Sequence, residues 1–170
     1  MRVVFVIAQR DFRDEELLEP RNVLISKGIE CFIASKNKGS HKGMLGAIVE
    51  STLSLKEVDN SFDAIIFVGG AGATQYFDDP EAQGLAAKYK DMNKLVAAIC
   101  VAPSILANAG ILNGKKATCF SSVAERLKSS GANFTGSSVE TDGRIVTASG
   151  PLSAKAFGEA VFSAIKSNKQ

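Results

Sequence analysis

A chain of 170 residues, 45% hydrophobic and 22% charged, is sized for a single domain over 1–170 with a core that needs no covalent staples. Its 20 basic and 18 acidic residues nearly cancel, which gives no electrostatic reason to expect nucleic acid or an anionic membrane as partner. Three cysteines, Cys31, Cys100 and Cys119, are an odd number without CxxC spacing; this argues against a disulfide framework or zinc site and for a reducing, cytoplasmic compartment.

The apolar stretch Val3 to Ala8 is too short for a signal sequence or membrane span and reads as a buried strand, 2–8. It runs into the polar segment Gln9 to Glu16 and a helix over 14–27, closed by Gly28. In that helix the ring of Pro20 opposes the carbonyl of Glu16, which predicts a distorted backbone and an inward-pointing Glu16. A strand is expected at 30–35. The stretch 37–54 has the weakest periodicity; Ala47 to Glu50 reads as a short edge strand, and His41, the only histidine, as a surface residue of a Gly-rich loop.

Strand 63–68 then opens onto Gly69-Gly70, and Asp79-Pro80 starts a helix over 80–92. Strand 94–99, helix 102–109, strand 116–120 and helix 121–130 follow. A tight turn at Thr141 to Arg144 leads into strand 144–148, and a last helix covers 152–167. Alternation of short buried strands with helices predicts an α/β fold with a mostly parallel, doubly wound sheet covered on both faces.

In such sheets ligands collect beyond the carboxyl ends of the strands. Three segments converge there: the polar run ending at Glu16, the Gly69-Gly70 pair, and Cys100, where an apolar strand breaks sharply into the helix over 102–109. A strand-to-helix corner lifts its side chain out of the core and aims helical N–H groups at it, so Cys100 is expected to be exposed and ionised. Cys31 and Cys119, within apolar runs, read instead as small buried hydrophobes. A buried Glu16 would hold its proton and donate a hydrogen bond to the thiolate, while the amides of Gly70 and Val101 are placed to form an oxyanion hole. Gly69 and Pro103 would line the site. There is no GxGxxG spacing and no carboxylate–histidine cluster, so neither cofactor nor metal is expected.

Taken together, the Glu16-to-Pro20 helix start, Val68-Gly69-Gly70, the elbow Ala97 to Pro103 and Ser149-Gly150-Pro151 before the last helix resemble the ThiJ/PfpI superfamily over nearly the whole chain. The resemblance implies a flavodoxin-like three-layer sandwich and a homo-oligomer, a dimer or larger. It also implies Cys100 as nucleophile, Glu16 as its acid partner, and Gly70 and Val101 as oxyanion donors. Peptidase-type members carry histidine directly after the cysteine, where this chain has Val101, and an acid shortly after the glycine pair, where it has Thr74. Deglycase-type members carry histidine where this chain has Cys119-Phe120. The expectation is therefore a glyoxalase- or deglycase-like protein acting on small reactive carbonyls. A thiol sensor of oxidative stress or chaperone-like module, and an intracellular cysteine peptidase or amidase, are the alternatives.

Overall fold

A computed structural model describes residues 1–167. Eleven strands and five helices follow one another among these residues: β1 (Arg2–Val6), α1 (Asp14–Ser26), β2 (Glu30–Ser35), β3 (Gly39–Lys42), β4 (Ile48–Ser51), β5 (Leu53–Ser54), β6 (Ala64–Phe67), α2 (Pro80–Asp91), β7 (Leu95–Ile99), α3 (Pro103–Asn108), β8 (Lys116–Ala117), α4 (Ala124–Ser129), β9 (Asn133–Phe134), β10 (Val139–Asp142), β11 (Ile145–Ala148) and α5 (Ala154–Lys166). Seven strands form the central sheet in the order β10-β11-β7-β6-β1-β2-β5, parallel throughout except for the β10–β11 hairpin. The sheet and its helices make a flavodoxin-like α/β sandwich. Helices cover both faces, so the inner strands need no polar side: β6 and β7 are buried at every residue. Among the described residues no helix is long and apolar enough to cross a membrane.

Chain direction sets the site. From β1 the order steps one way to β2 and the other way to β6 and β7, so strand order reverses at β1 and the crevice opens beyond its carboxyl end. Helices α1 and α5 pack against each other; a Cβ added to Gly158 would come within 2.8 Å of the Pro20 backbone, so this close approach requires glycine. α1 continues through Pro20, and Glu16, one turn before it, is buried as the sequence suggests.

Three expectations are corrected. The strand expected at 116–120 is only Lys116–Ala117, paired with β9 outside the main sheet, because Thr118 turns away to bond Ser137 and Thr147. The edge strand near 47–50 is real as β4, but it pairs with β3 in a separate hairpin. His41 lies on β3 and is only 6% exposed, its ring nitrogens facing the Gln9 carbonyl at 3.2 Å and Ser51 Oγ at 2.8 Å. These two partners give a buried imidazole a polar lining that a loop reading of the sequence has no means to supply.

Candidate active site

Cys100 directly follows β7 at φ +66°, the left-handed region that a β-carbon disfavours. Flanking segments enforce it. The Cys100 N–H donates to the Ala148 carbonyl at 2.9 Å, and its carbonyl accepts from the Phe120 N–H at 2.8 Å. Clamped on both sides, the residue turns its side chain away from the sheet toward α1 and the loop after β6. This is the backbone corner that the sequence predicts, held at a cost of about 1–3 kcal/mol for such a conformation.

Gly69 and Gly70 fill the space beside it. A Cβ on Gly69 would run into a carboxylate oxygen of Glu16, the Cys100 Cβ at 2.6 Å and the Ile99 carbonyl at 2.7 Å. Gly70 has φ +101°, and a Cβ there would meet backbone atoms of Asp11, Phe12 and Arg13. Glycine at both positions lets the loop sit between Glu16 and Cys100, where the amides of Gly70 and Val101 act on the sulfur. Pro103 is buried at the first position of α3 and shapes the exit from the corner.

Glu16 is fully buried. Its oxygens face the Cys100 sulfur and the Gly69 amide, with a well-formed hydrogen bond to neither. Burial pushes its carboxyl up to about 7. The Cys100 thiol is also pushed up, first by burial and then by the negative charge of Glu16. The corner is thus less open than expected: Cys100 is 8% exposed, and α3, a helix of six residues, does not offset that burial. The two groups share one proton between them. A carboxylate at Glu16 would have no well-formed donor, whereas charge on the sulfur meets two amides. The first proton to leave is that of Glu16, near 7, and the two amides ease the transfer of that charge to Cys100. Cys31 and Cys119 are pushed up to about 11 by burial alone or nearly so, with no acid or amide pair facing them.

The rim was not legible from the sequence. Arg13 anchors its N–H on the Gly69 carbonyl at 2.9 Å and pairs its guanidinium with Glu15 at 2.8 Å, and its charge acts on both Glu16 and Cys100. Buried Asp14 receives the N–H groups of Leu45 and Ala47, each at 2.8 Å, which fixes the β3–β4 hairpin over the start of α1. Adjacent acids at a helix start gave no sign that Asp14 and Glu16 turn inward while Glu15 turns out. Only the Pro20 ring, set against the Glu16 carbonyl, pointed to one of them.

With this geometry in place, the comparison with known proteins is decisive for the family. The family model for DJ-1/PfpI matches residues 1–164. The chain belongs to the DJ-1/PfpI family. An uncharacterized protein of Methanocaldococcus jannaschii is 39% identical over 99% of this chain and 84% of its own length. A Pyrococcus furiosus relative named deglycase PfpI is 33% identical over 89% of this chain and 91% of its own. The crystal structure of a ThiJ/PfpI domain protein from Brachyspira murdochii superposes with a TM-score of 0.96 at 36% identity, covering 98% of this chain and 96% of that one.

Proposed function

We propose that the protein converts small 2-oxoaldehydes, or the adducts they form, with Cys100 as nucleophile and Glu16 as the group that moves protons. The observation carrying this reading is a fully buried carboxyl, without a well-formed partner, set against the sulfur of a strained corner cysteine. The Pyrococcus furiosus relative bears the name deglycase, and a Caenorhabditis elegans relative, 26% identical over 91% of this chain, is named a glutathione-independent glyoxalase.

In the proposed sequence the Cys100 sulfur bonds to the aldehyde carbon, and the carbonyl oxygen takes up charge against the Gly70 and Val101 amides. Glu16 gives its proton to that oxygen, forming a hemithioacetal and leaving a carboxylate. The carboxylate removes the hydrogen from the same carbon to give an enediol, the hydroxyl proton passes to the neighbouring oxygen, and the first proton returns at the neighbouring carbon to give a thioester. Water then releases a 2-hydroxy acid and restores the thiol. Methylglyoxal plus water becomes lactate, without an external oxidant.

The missing histidine is no obstacle here, because an aldehyde adds a thiolate without a leaving group to protonate. Amide hydrolysis does need such an acid, and lacking it costs about 100- to 10,000-fold; Val101 beside the sulfur therefore weighs against a peptidase. Burial of Cys100 weighs against an oxidation sensor, which requires an accessible thiolate. The test is lactate formation from methylglyoxal by purified protein. Cys100→Ala is expected to abolish it, and equal rates would exclude the mechanism. We take the protein to act in the cytoplasm as a homo-oligomer, and a strictly monomeric sedimentation profile would count against the latter.

A further inference from the structure

In the loop that carries the Gly70 amide, each N–H from Gly70 to Ala73 has an acceptor of its own. Gly70 acts on the Cys100 sulfur, and Ala71 donates to Met44 Sδ at 3.4 Å. Gly72 donates to the Asp11 carbonyl at 3.0 Å and Ala73 to the Gly70 carbonyl at 3.1 Å. Two consecutive amides thus end on sulfur. Gly70 has φ +101° and no side chain to resist rotation, so the two peptide planes that meet at its Cα are held by their hydrogen bonds. Arg13 fixes the plane before it through the Gly69 carbonyl at 2.9 Å. Ala73 and Met44 fix the plane after it, one at each end.

Met44 is delivered there by an anchored turn. Its own N–H donates to the Phe12 carbonyl at 2.9 Å, and the N–H groups of Leu45 and Ala47 are tied to the Asp14 carboxylate. A Cβ on Gly43 would fall 2.6 Å from that carboxylate, so the turn sits directly on the start of α1. The backbone is held, yet Met44 is 43% exposed. Met1 and Met92, the other methionines of the chain, are partly buried against the core.

A thioether reacts with a hydroperoxide without losing a proton, whereas the Cys100 thiol must first ionise and is only 8% exposed. With one sulfur lone pair on the Ala71 N–H, the second is left to attack the peroxide. The S–O bond forms as the O–O bond breaks; the sulfur is oxidised by two electrons and the peroxide leaves as water. Acceptor strength then moves to the new oxygen, and the electron-poor sulfur no longer holds the Ala71 N–H. The 3.4 Å between sulfur and nitrogen leaves no room to seat that oxygen between them.

We propose that Met44 is a modification site, whose sulfoxidation by hydroperoxides frees the Ala71 amide and slows turnover at Cys100. The inference rests on the carbonyl reading of the Cys100 site for its activity readout. Met44 is a positioning residue and has no part in the chemistry.

The experiment treats the wild type and Met44→Leu with hydrogen peroxide and then dithiothreitol, maps oxidation by peptide mass spectrometry, and measures methylglyoxal turnover. Hydrogen exchange of the Gly70–Ala73 amides is followed in parallel. Met44 is expected to gain one oxygen ahead of Cys100, Met1 and Met92. Wild-type kcat then falls about fivefold with KM moving less than about twofold, the effect of one weak hydrogen bond lost beside the transition state. A methionine sulfoxide reductase restores it. Leucine keeps the bulk and removes the acceptor, so Met44→Leu starts near the oxidised rate and falls no further.

Three results overturn the inference: Met44 stays unoxidised, as a second copy of the chain over the turn would cause; fully oxidised wild type keeps kcat within about 1.5-fold; or peroxide slows Met44→Leu as much as the wild type. Lactate formation that is absent, or survives in Cys100→Ala, sinks the carbonyl reading instead. Faster exchange of the Ala71 amide on oxidation then still upholds the Met44 contact, and unchanged exchange sinks it as well.

Discussion

A carboxyl and a thiol that share a proton are separable by experiment. Glu16→Gln keeps a neutral group beside the sulfur but has no proton to give or take. We expect Cys100 in that variant to alkylate at a rate within a few fold of wild type, while aldehyde turnover falls about 100- to 10,000-fold, as for loss of a general acid–base. Iodoacetamide kinetics beside lactate assays check this; equal losses in both would mean that Glu16 serves only to hold the sulfur. The corner itself makes a second prediction. At φ +66° a side chain is disfavoured and glycine is not, so Cys100→Gly is expected to be about 1 kcal/mol more stable than Cys100→Ala, as read from urea midpoints. At this scale the sequence was informative about Cys100, Glu16 and the glycine pair, whose chemistry depends on local spacing. It was silent on the burial of Cys100, which is imposed by segments remote in sequence, around Gly69, Phe120 and Ala148.

Among the elements, those with strong local signals were readable, whereas of the β3–β4 hairpin only β4 was. β2 was expected at 30–35 and lies at Glu30–Ser35, and α2 begins at Pro80, where Asp79 caps it through the Glu81 N–H. The hairpin lacks an apolar period, since Ser40, His41, Glu50 and Ser51 fill it. Polar bonds hold it instead, from His41 to Gln9 and Ser51 and from Asp14 to its turn. Sequence periodicity cannot register such anchors, because their partners lie on other elements. His41→Ala leaves buried groups unpartnered and is expected to cost about 1–3 kcal/mol. Native-state hydrogen exchange should locate the loosening in residues 39–51 and the Gln9 loop; uniform loosening across the sheet would contradict this role.

Across the whole molecule, the buried carboxyl couples stability to pH. Glu16 titrates near pH 7 in the folded state against an ordinary value of 4.5. Between those values the folded chain holds a proton that the unfolded chain has released, so stability falls as pH rises through this window and levels off above it. The full effect is at most about 3 kcal/mol, shared by the coupled pair. Thermal melts from pH 4.5 to 8 should show Glu16→Gln gaining on the wild type as pH rises, and parallel curves would refute the linkage. The overall architecture was the most legible level of all, since alternating buried strands and helices admit few arrangements. The short pairing of β8 with β9 escaped it, two residues per strand being too little pattern to read.

The seam where Gly158 lies over Pro20 joins the last helix to the one that carries Glu16. During synthesis Cys100, Gly70 and Glu16 all emerge well before α5, yet α1 lacks its packing partner until the final segment docks. The pairing of Glu16 with Cys100 should therefore form late, so that alkylation of Cys100 doubles as a readout of chain completion.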